Sequence, residues 1–191
     1  LDKTVLLLPP PPNVVHWVTT VGASSMDRDL LADIKLNNDR PLPGISIYGG
    51  PVLALGRLYP LIYTAAALSR IGAGAGDGYS SSLYLEGSLN PDAICGKIVI
   101  CDRGVNSRAT KGEVIHKADG VRMILTNGVF DDEGIFDGEG LVADCHVLPA
   151  TAIGTIAGDE IQKYINTATP HLPPTATIFF HSTHSGFDWC R

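Results

Sequence analysis

A serine hydroxyl paired with an imidazole is the reactive couple this chain could most readily assemble. It carries six histidines and an uninterrupted run of three serines, Ser80-Ser81-Ser82. Acyl transfer by such a pair needs the serine on an exposed turn, the base within hydrogen-bond reach, and a carboxylate to orient the base. The serine run follows glycines in a hydroxyl-rich loop, and the chain has no G-x-S-x-G elbow. His181 and His184, with His171 nearby, are candidates for a metal site. Zinc sites on helices favour an i, i+4 pair with a third ligand and an accompanying acid. Here two residues separate the pair, no glutamate accompanies it, and the segment follows a strand-like run. These histidines read as structural or solvent-facing.

The acidic stretch Asp131, Asp132, Glu133, Asp137, Glu139 and Asp144 could attract Ca²⁺, which takes several oxygen ligands from a folded loop. EF-hand spacing fails, because Leu148 stands where the closing glutamate would fall when counted from Asp137. The same stretch holds a direct duplication, Phe130-Asp-Asp-Glu-Gly-Ile135 followed by Phe136-Asp-Gly-Glu-Gly-Leu141. A loop absorbs such an insertion cheaply, so it reads as a solvated surface excursion. His146 beside Cys145 suggests thiol–imidazole chemistry, but that needs an activated thiolate and an oxyanion site, and cysteine is often simply buried. The glycine loop Gly72 to Gly78 fits neither G-x-G-x-x-G nor the P-loop, and Trp17 and Trp189 are too isolated to form a stacking platform. Residue by residue, the chain offers no catalytic, cofactor-binding or metal-ligating assignment.

A chain of 191 residues, 45% hydrophobic and 18% charged, is globular and long enough to bury a core. Its 21 glycines and 13 prolines sit mostly in clusters, which implies many turns between short strands. A formal net charge of -6 argues against nucleic acid as a partner. No run of 18 apolar residues spans a bilayer. Leu1 to Pro12 is too proline-rich, and too short in its apolar part, for a secretory signal. Cys95, Cys101, Cys145 and Cys190 permit a disulfide without demanding one, and no Asn-x-Ser/Thr acceptor occurs.

The elements follow from periodicity. Val14 to Val21 reads as a strand, Ile34 to Tyr48 as a hairpin with Pro41 and Pro43 between its arms, and Leu58 to Thr64 as a further strand. Lys97 to Cys101 is a short apolar run, expected of a strand buried on both faces. From Ser107 to Ala118, Ala109, Val114, Ile115 and Ala118 recur at helical spacing, with Lys111, Glu113 and Lys117 expected to point outward. Gly120 is expected to end that helix, and Val121 to Thr126 to follow as a strand, completing a βαβ-like unit. A second helix is expected over Thr155 to Ala168, with Ala157, Ile161, Tyr164 and Ile165 on one face, and a last strand over Thr175 to Phe180.

The block Cys95-Gly-Lys-Ile-Val-Ile-Cys101-Asp102-Arg103-Gly104-Val105-Asn106-Ser107-Arg108-Ala109-Thr110-Lys111-Gly112 closely resembles the centre of the protease-associated domain of plant subtilisin-like serine proteases. Further segments agree in order. Trp17 to Asp29 resembles the family's W-V-x-T-V-G-A segment, and Gly44-Ile-Ser-Ile-Tyr48 its G-x-S-x-Y stretch. Asp77 to Ser82 and Glu86 to Pro91 resemble the lead-in to the central block. Leu141 to Thr151, with Ile153-Gly154, and Pro174 to Ile178 resemble the later strands. The resemblance covers Asn13 to His184.

The resemblance implies an α/β (α+β) fold, a β-rich barrel or sandwich with a few flanking helices. It divides the chain into an atypical segment 1–12, a remnant of catalytic-domain strands 13–48, the protease-associated domain 49–184, and a divergent tail 185–191. It implies a non-catalytic module whose partners are a peptide or protein, a second copy of itself, and the parent catalytic domain, in an extracellular setting. No cofactor, nucleic acid or membrane is implied. The subtilase aspartate, histidine and serine motifs do not occur here; the competing reading is a self-contained hydrolase using one of the six histidines with a serine. Tyr84 stands where many members have a cysteine, so the usual partner of Cys101 is missing, and Cys95 could bridge Cys101 only if the strand ends bent back. Asp119 and Arg122 replace common glycines, which is expected to require both side chains to reach solvent. Val14 to Val21, without its host sheet, is expected to self-associate or fold back as an unpaired edge.

Overall fold

The computed structural model describes residues 28–38, 40–51, 56–67, 88–103, 106–127, 141–169, 172–181 and 184–185. Seven strands form one mixed sheet: β2 (Ala32–Leu36), β3 (Pro41–Leu42), β4 (Tyr59–Tyr63), β5 (Ile98–Asp102), β6 (Arg122–Thr126), β7 (Ala150–Ile153) and β8 (Thr175–Phe180), in the order β3-β2-β8-β4-β5-β6-β7. The β4–β5, β5–β6 and β6–β7 pairs are parallel, whereas β8 runs antiparallel to both β2 and β4. Two of these strands, β2 and β3, come from the segment preceding Gly49.

The sheet closes on itself. Beyond β3 the chain continues alongside β2, and Ile45 bridges both Leu31 on that side and Ala152 of β7 on the other. Ile45 N donates to Ala152 O and Ala152 N to Ile45 O, both at 2.9 Å, which satisfies the edge that β7 would otherwise leave open. Closure requires Gly44: a Cβ there would lie 2.4 Å from Thr151 Oγ1 and 2.8 Å from the Ala32 carbonyl oxygen. Thr151 Oγ1, itself buried, donates to that carbonyl at 2.7 Å and ties β7 to β2.

Strand alternation sorts the apolar residues into two cores. Ile98 and Ile100 of β5 and Ile124 of β6 join Ile34, Leu61, Ile153 and Ile178 in the barrel interior, where Ala157 and Ile161 of helix α3 (Thr155–Asn166) also pack. Val99, Cys101, Met123 and Leu125 face the other way, under α1 (Pro91–Ile94) and α2 (Arg108–Lys117), packing with Ile94, Val114, Ile115 and Leu148. The expected double burial of β5 follows from this, since one face meets the barrel and the other the helices. Both short-loop helices are capped in ways the sequence dictates. Ser107 accepts from Thr110 N at 3.2 Å, and Asn90 accepts from Asp92 N at 3.1 Å with Pro91 in the first turn.

Outside the barrel, β1 (Arg28–Asp29) pairs antiparallel with β9 (His184–Ser185), so the chain reaches and leaves the barrel as adjacent strands. A hydrogen bond between His181 Nε2 and Asp33 Oδ2 (3.1 Å) and an ion pair from Arg40 to Glu160 (2.8 Å) lie on the surface, where such contacts contribute little.

Several expectations need correction. Lys111 does not point outward; it is 1% exposed, while Ala109, expected on the buried face, is exposed. The residue ending α2 in the left-handed region is Asp119 (φ 60), not Gly120. Gly120 instead packs so tightly that an added Cβ would fall 2.4 Å from the Ile115 side chain. Asp119 does reach solvent, but Arg122 is 0% exposed. Its register explains the burial: Arg122 pairs with Ile98, a barrel-interior position.

Candidate functional site

Asp102-Arg103, the middle of the longest motif, sits at the carboxyl ends of the parallel strands. Here β5 hands over to the N-terminal turn of α2. The Asp102 carboxylate accepts hydrogen bonds from two neighbouring strands. Thr126 Oγ1 of β6 donates to Oδ1 at 2.5 Å, and the Tyr63 hydroxyl of β4 donates to Oδ2. Lys111 Nζ turns back from α2 to donate to the Asp102 carbonyl at 3.0 Å, and Arg103 N donates to Thr126 O at 2.8 Å. Burial, then the adjacent Asp102 carboxylate, pushes the Tyr63 phenol well above its ordinary value, so it remains a donor. Burial lowers Lys111, while Cys101 and Asp102 pull it back up. In the 3-10 turn that follows β4 (Thr64–Ala66), Thr64 Oγ1 donates to Ile100 O at 2.6 Å, and at the start of α3 Thr155 Oγ1 donates to Asn127 O at 3.0 Å. Each of these donors is directed at an acceptor within the barrel. The cluster is a clasp that fixes β4, β5, β6 and α2 relative to one another.

At the opposite end of β6, Arg122 lies 4.4 Å above the Tyr59 ring and donates from Nη1 to Thr177 Oγ1 at 2.6 Å. Its Nε and Nη2 are buried without a hydrogen-bond partner. Burial depresses its pKa, opposed by Tyr59 and reinforced by Arg57, whose guanidinium also lies over the Tyr59 ring at 5.0 Å.

A third cluster joins residues 141–149 to α2. Arg108 Nε is in ionic contact with Asp144 Oδ2, and His146 lies against Gly112, where an added Cβ would meet Nδ1 at 3.0 Å and the Leu148 side chain at 3.3 Å. His146 Nδ1 is buried with no partner. Burial pushes the imidazole below its ordinary value; Asp144 raises it and Arg108 lowers it further. Pattern reading missed this arrangement. The signal that could have found it is the glycine in mid-helix, a position where a side chain is usually favoured.

The sequence candidates are dispersed. Cys145 is exposed, whereas the His146 ring turns its Nδ1 into the protein. His181 bonds Asp33 on the surface, while His171 and the side chain of His184 lie outside the described residues. Ser80 to Ser82, the glycine loop, Val14 to Val21, Tyr84, residues 130–140 of the acidic duplication, Trp17, Trp189 and Cys190 also lie outside them. Among the described residues, no serine hydroxyl bonds an imidazole, no three of His, Cys, Asp and Glu converge on a metal position, and no helix is long and apolar enough to cross a membrane. Cys95, Cys101 and Cys145 form no disulfide among the described residues; Cys101 is buried and Cys95 exposed.

Comparison with known proteins agrees with the order of motifs. Residues 58–161 match the PA domain. The chain is 55% identical over 177 residues to "Subtilisin-like protease SBT1.5" of Arabidopsis thaliana, covering 91% of this chain and 21% of that protein. It is 44% identical over 174 residues to "Subtilisin-like protease SBT1.6" of the same plant, covering 91% and 20%. It therefore spans about a fifth of the length of these relatives. Among solved structures, "Aminopeptidase from Aneurinibacillus sp. strain AM-1" aligns with 82% of this chain and 31% of its own, at 16% identity and a TM-score of 0.47. By its matched residues and its relatives, the chain belongs to the PA domain family, in the form carried by plant subtilisin-like proteases.

Proposed function

We propose that this chain is a non-catalytic contact module of a plant subtilisin-like serine protease. It holds a peptide or protein partner, the parent catalytic domain or a second copy of itself, and it governs substrate access in the extracellular space. The observation that carries the reading is the pairing of β1 with β9 beside a closed barrel. A unit whose incoming and outgoing strands lie side by side can be set into a larger domain without separating that domain's own elements. The internally satisfied clasp around Asp102 supports a scaffold over a reaction centre.

The test combines sedimentation velocity across a graded concentration series with fluorescence anisotropy against a labelled peptide library. The expected result is a defined dimer or saturable peptide binding, with every peptide recovered intact. Cleavage of the peptides by the purified chain, or neither association nor binding, would overturn the proposal.

A further inference from the structure

Residues 141–148 lie on α2 as a strap held at two points. One is the contact between Asp144 and Arg108 in the first turn of the helix. The other is the His146 ring, seated on Gly112 with Leu148 beneath it in the outer core. The seat fits only a helix position lacking a side chain. It accepts only an uncharged ring, because Nδ1 is enclosed with no acceptor to receive a proton's hydrogen bond.

We propose that this strap is an acid-released latch: protonation of His146 detaches residues 141–148 from α2 and uncovers the Leu148 side of the outer core. Among the described residues, the charged groups facing the ring are Arg108 from α2 and Asp144 from the strap itself. Lys111 turns its amine to the Asp102 carbonyl, and Glu113, His116 and Lys117 are exposed on α2. Arg108 repels an imidazolium and is already engaged with Asp144, and the helix N-terminus adds further positive potential. Burial sets the ring's value below the ordinary one, so the closed strap binds fewer protons than the released strap. Closure is therefore at full strength above the ordinary imidazole value of about 6.5 and weakens as the pH falls below it, down to the depressed value of the closed state. If only the released strap protonates, the opening constant rises up to about tenfold between pH 7.5 and pH 5.5.

The latch is tested by hydrogen exchange of the whole chain read by mass spectrometry at both pH values, corrected for the intrinsic rate. Wild type should show about a tenfold gain in opening over residues 141–148 at the lower pH, and His146→Gln should show none. Equal responses in the two proteins would overturn the latch. So would stronger protection in acid, the result expected if Asp144 left Arg108 to capture the imidazolium. Should His146→Gln leave the strap open at both pH values, the wild-type His146 ring proton shift decides by titration in NMR. A midpoint below the ordinary imidazole value supports the latch, and one at or above it overturns it.

Discussion

Replacing Arg122 with methionine should make the protein more stable, although it deletes a hydrogen bond and a ring contact. Arg122 is fully buried, and its Nε and Nη2 have no partner. Each unsatisfied buried N–H costs about 1–3 kcal/mol, and removing the charge itself from water adds several more. Against this stand the bond to Thr177 Oγ1, about 1.5–3 kcal/mol for a charged donor, and the contact over Tyr59, about 2 kcal/mol when desolvated. Methionine has a similar length and no polar atom needing a partner; the Thr177 hydroxyl it strands subtracts about 1 kcal/mol. The net gain is about 1–3 kcal/mol, within the range for replacing buried ions by hydrophobes. For a chain of this size that raises Tm by about 3–9 °C. Arg122→Gly should gain less, because it removes the charge but leaves a void and a flexible residue inside a strand. Urea unfolding followed by circular dichroism, backed by scanning calorimetry, measures both. A loss of stability in Arg122→Met, with an unchanged m-value, would refute the balance drawn here and show that the guanidinium is better satisfied than its contacts indicate.

Asp102→Ala should cost about 2–4 kcal/mol, because it strands the Tyr63 and Thr126 hydroxyls together, whereas Tyr63→Phe removes one donor and should cost about 1 kcal/mol; denaturant midpoints give the order. Gly44→Ala should cost about 1–3 kcal/mol by forcing apart the Ala32 carbonyl and Thr151, and hydrogen exchange should show Ile45 and Ala152 amides losing protection first. Asp119→Gly should stabilise by about 0.5–1 kcal/mol, since it relieves a left-handed aspartate at an exposed turn; thermal melts detect it.

Most of the sheet was legible because its strands are short, apolar and separated by turn residues. The β5–α2–β6 unit stands out in the same way: an apolar run, a stretch of helical spacing and a second apolar run lie within thirty residues. A barrel or sandwich was implied by the resemblance, but its closure was not legible in the residue pattern. It depends on Ile45 touching two strands at once, and a single bridging residue leaves no period to detect. Lys111 misled the helical reading because its stem lies under the helix while its amine reaches the Asp102 carbonyl, so a charged residue occupies an inward position. Arg122 misled the strand reading in the same sense, a charge expected in solvent and found inside. Strand register with Ile98 placed it inside, and register is set by pairing partners that are distant in sequence. The site was legible as a motif but not as a geometry. Asp102-Arg103 stood out by resemblance, while its partners Tyr63 and Thr126 come from strands that nothing in their local sequence connects to it.

The central claim is that these strands make a contact scaffold and that bond cleavage belongs to other parts of the protease. The most direct measurement is fluorophosphonate treatment of the purified native chain followed by peptide mapping of every serine, Ser80 to Ser82 included. The account predicts no serine modified beyond the level of a denatured control; stoichiometric modification of a single serine, lost on denaturation, would contradict it.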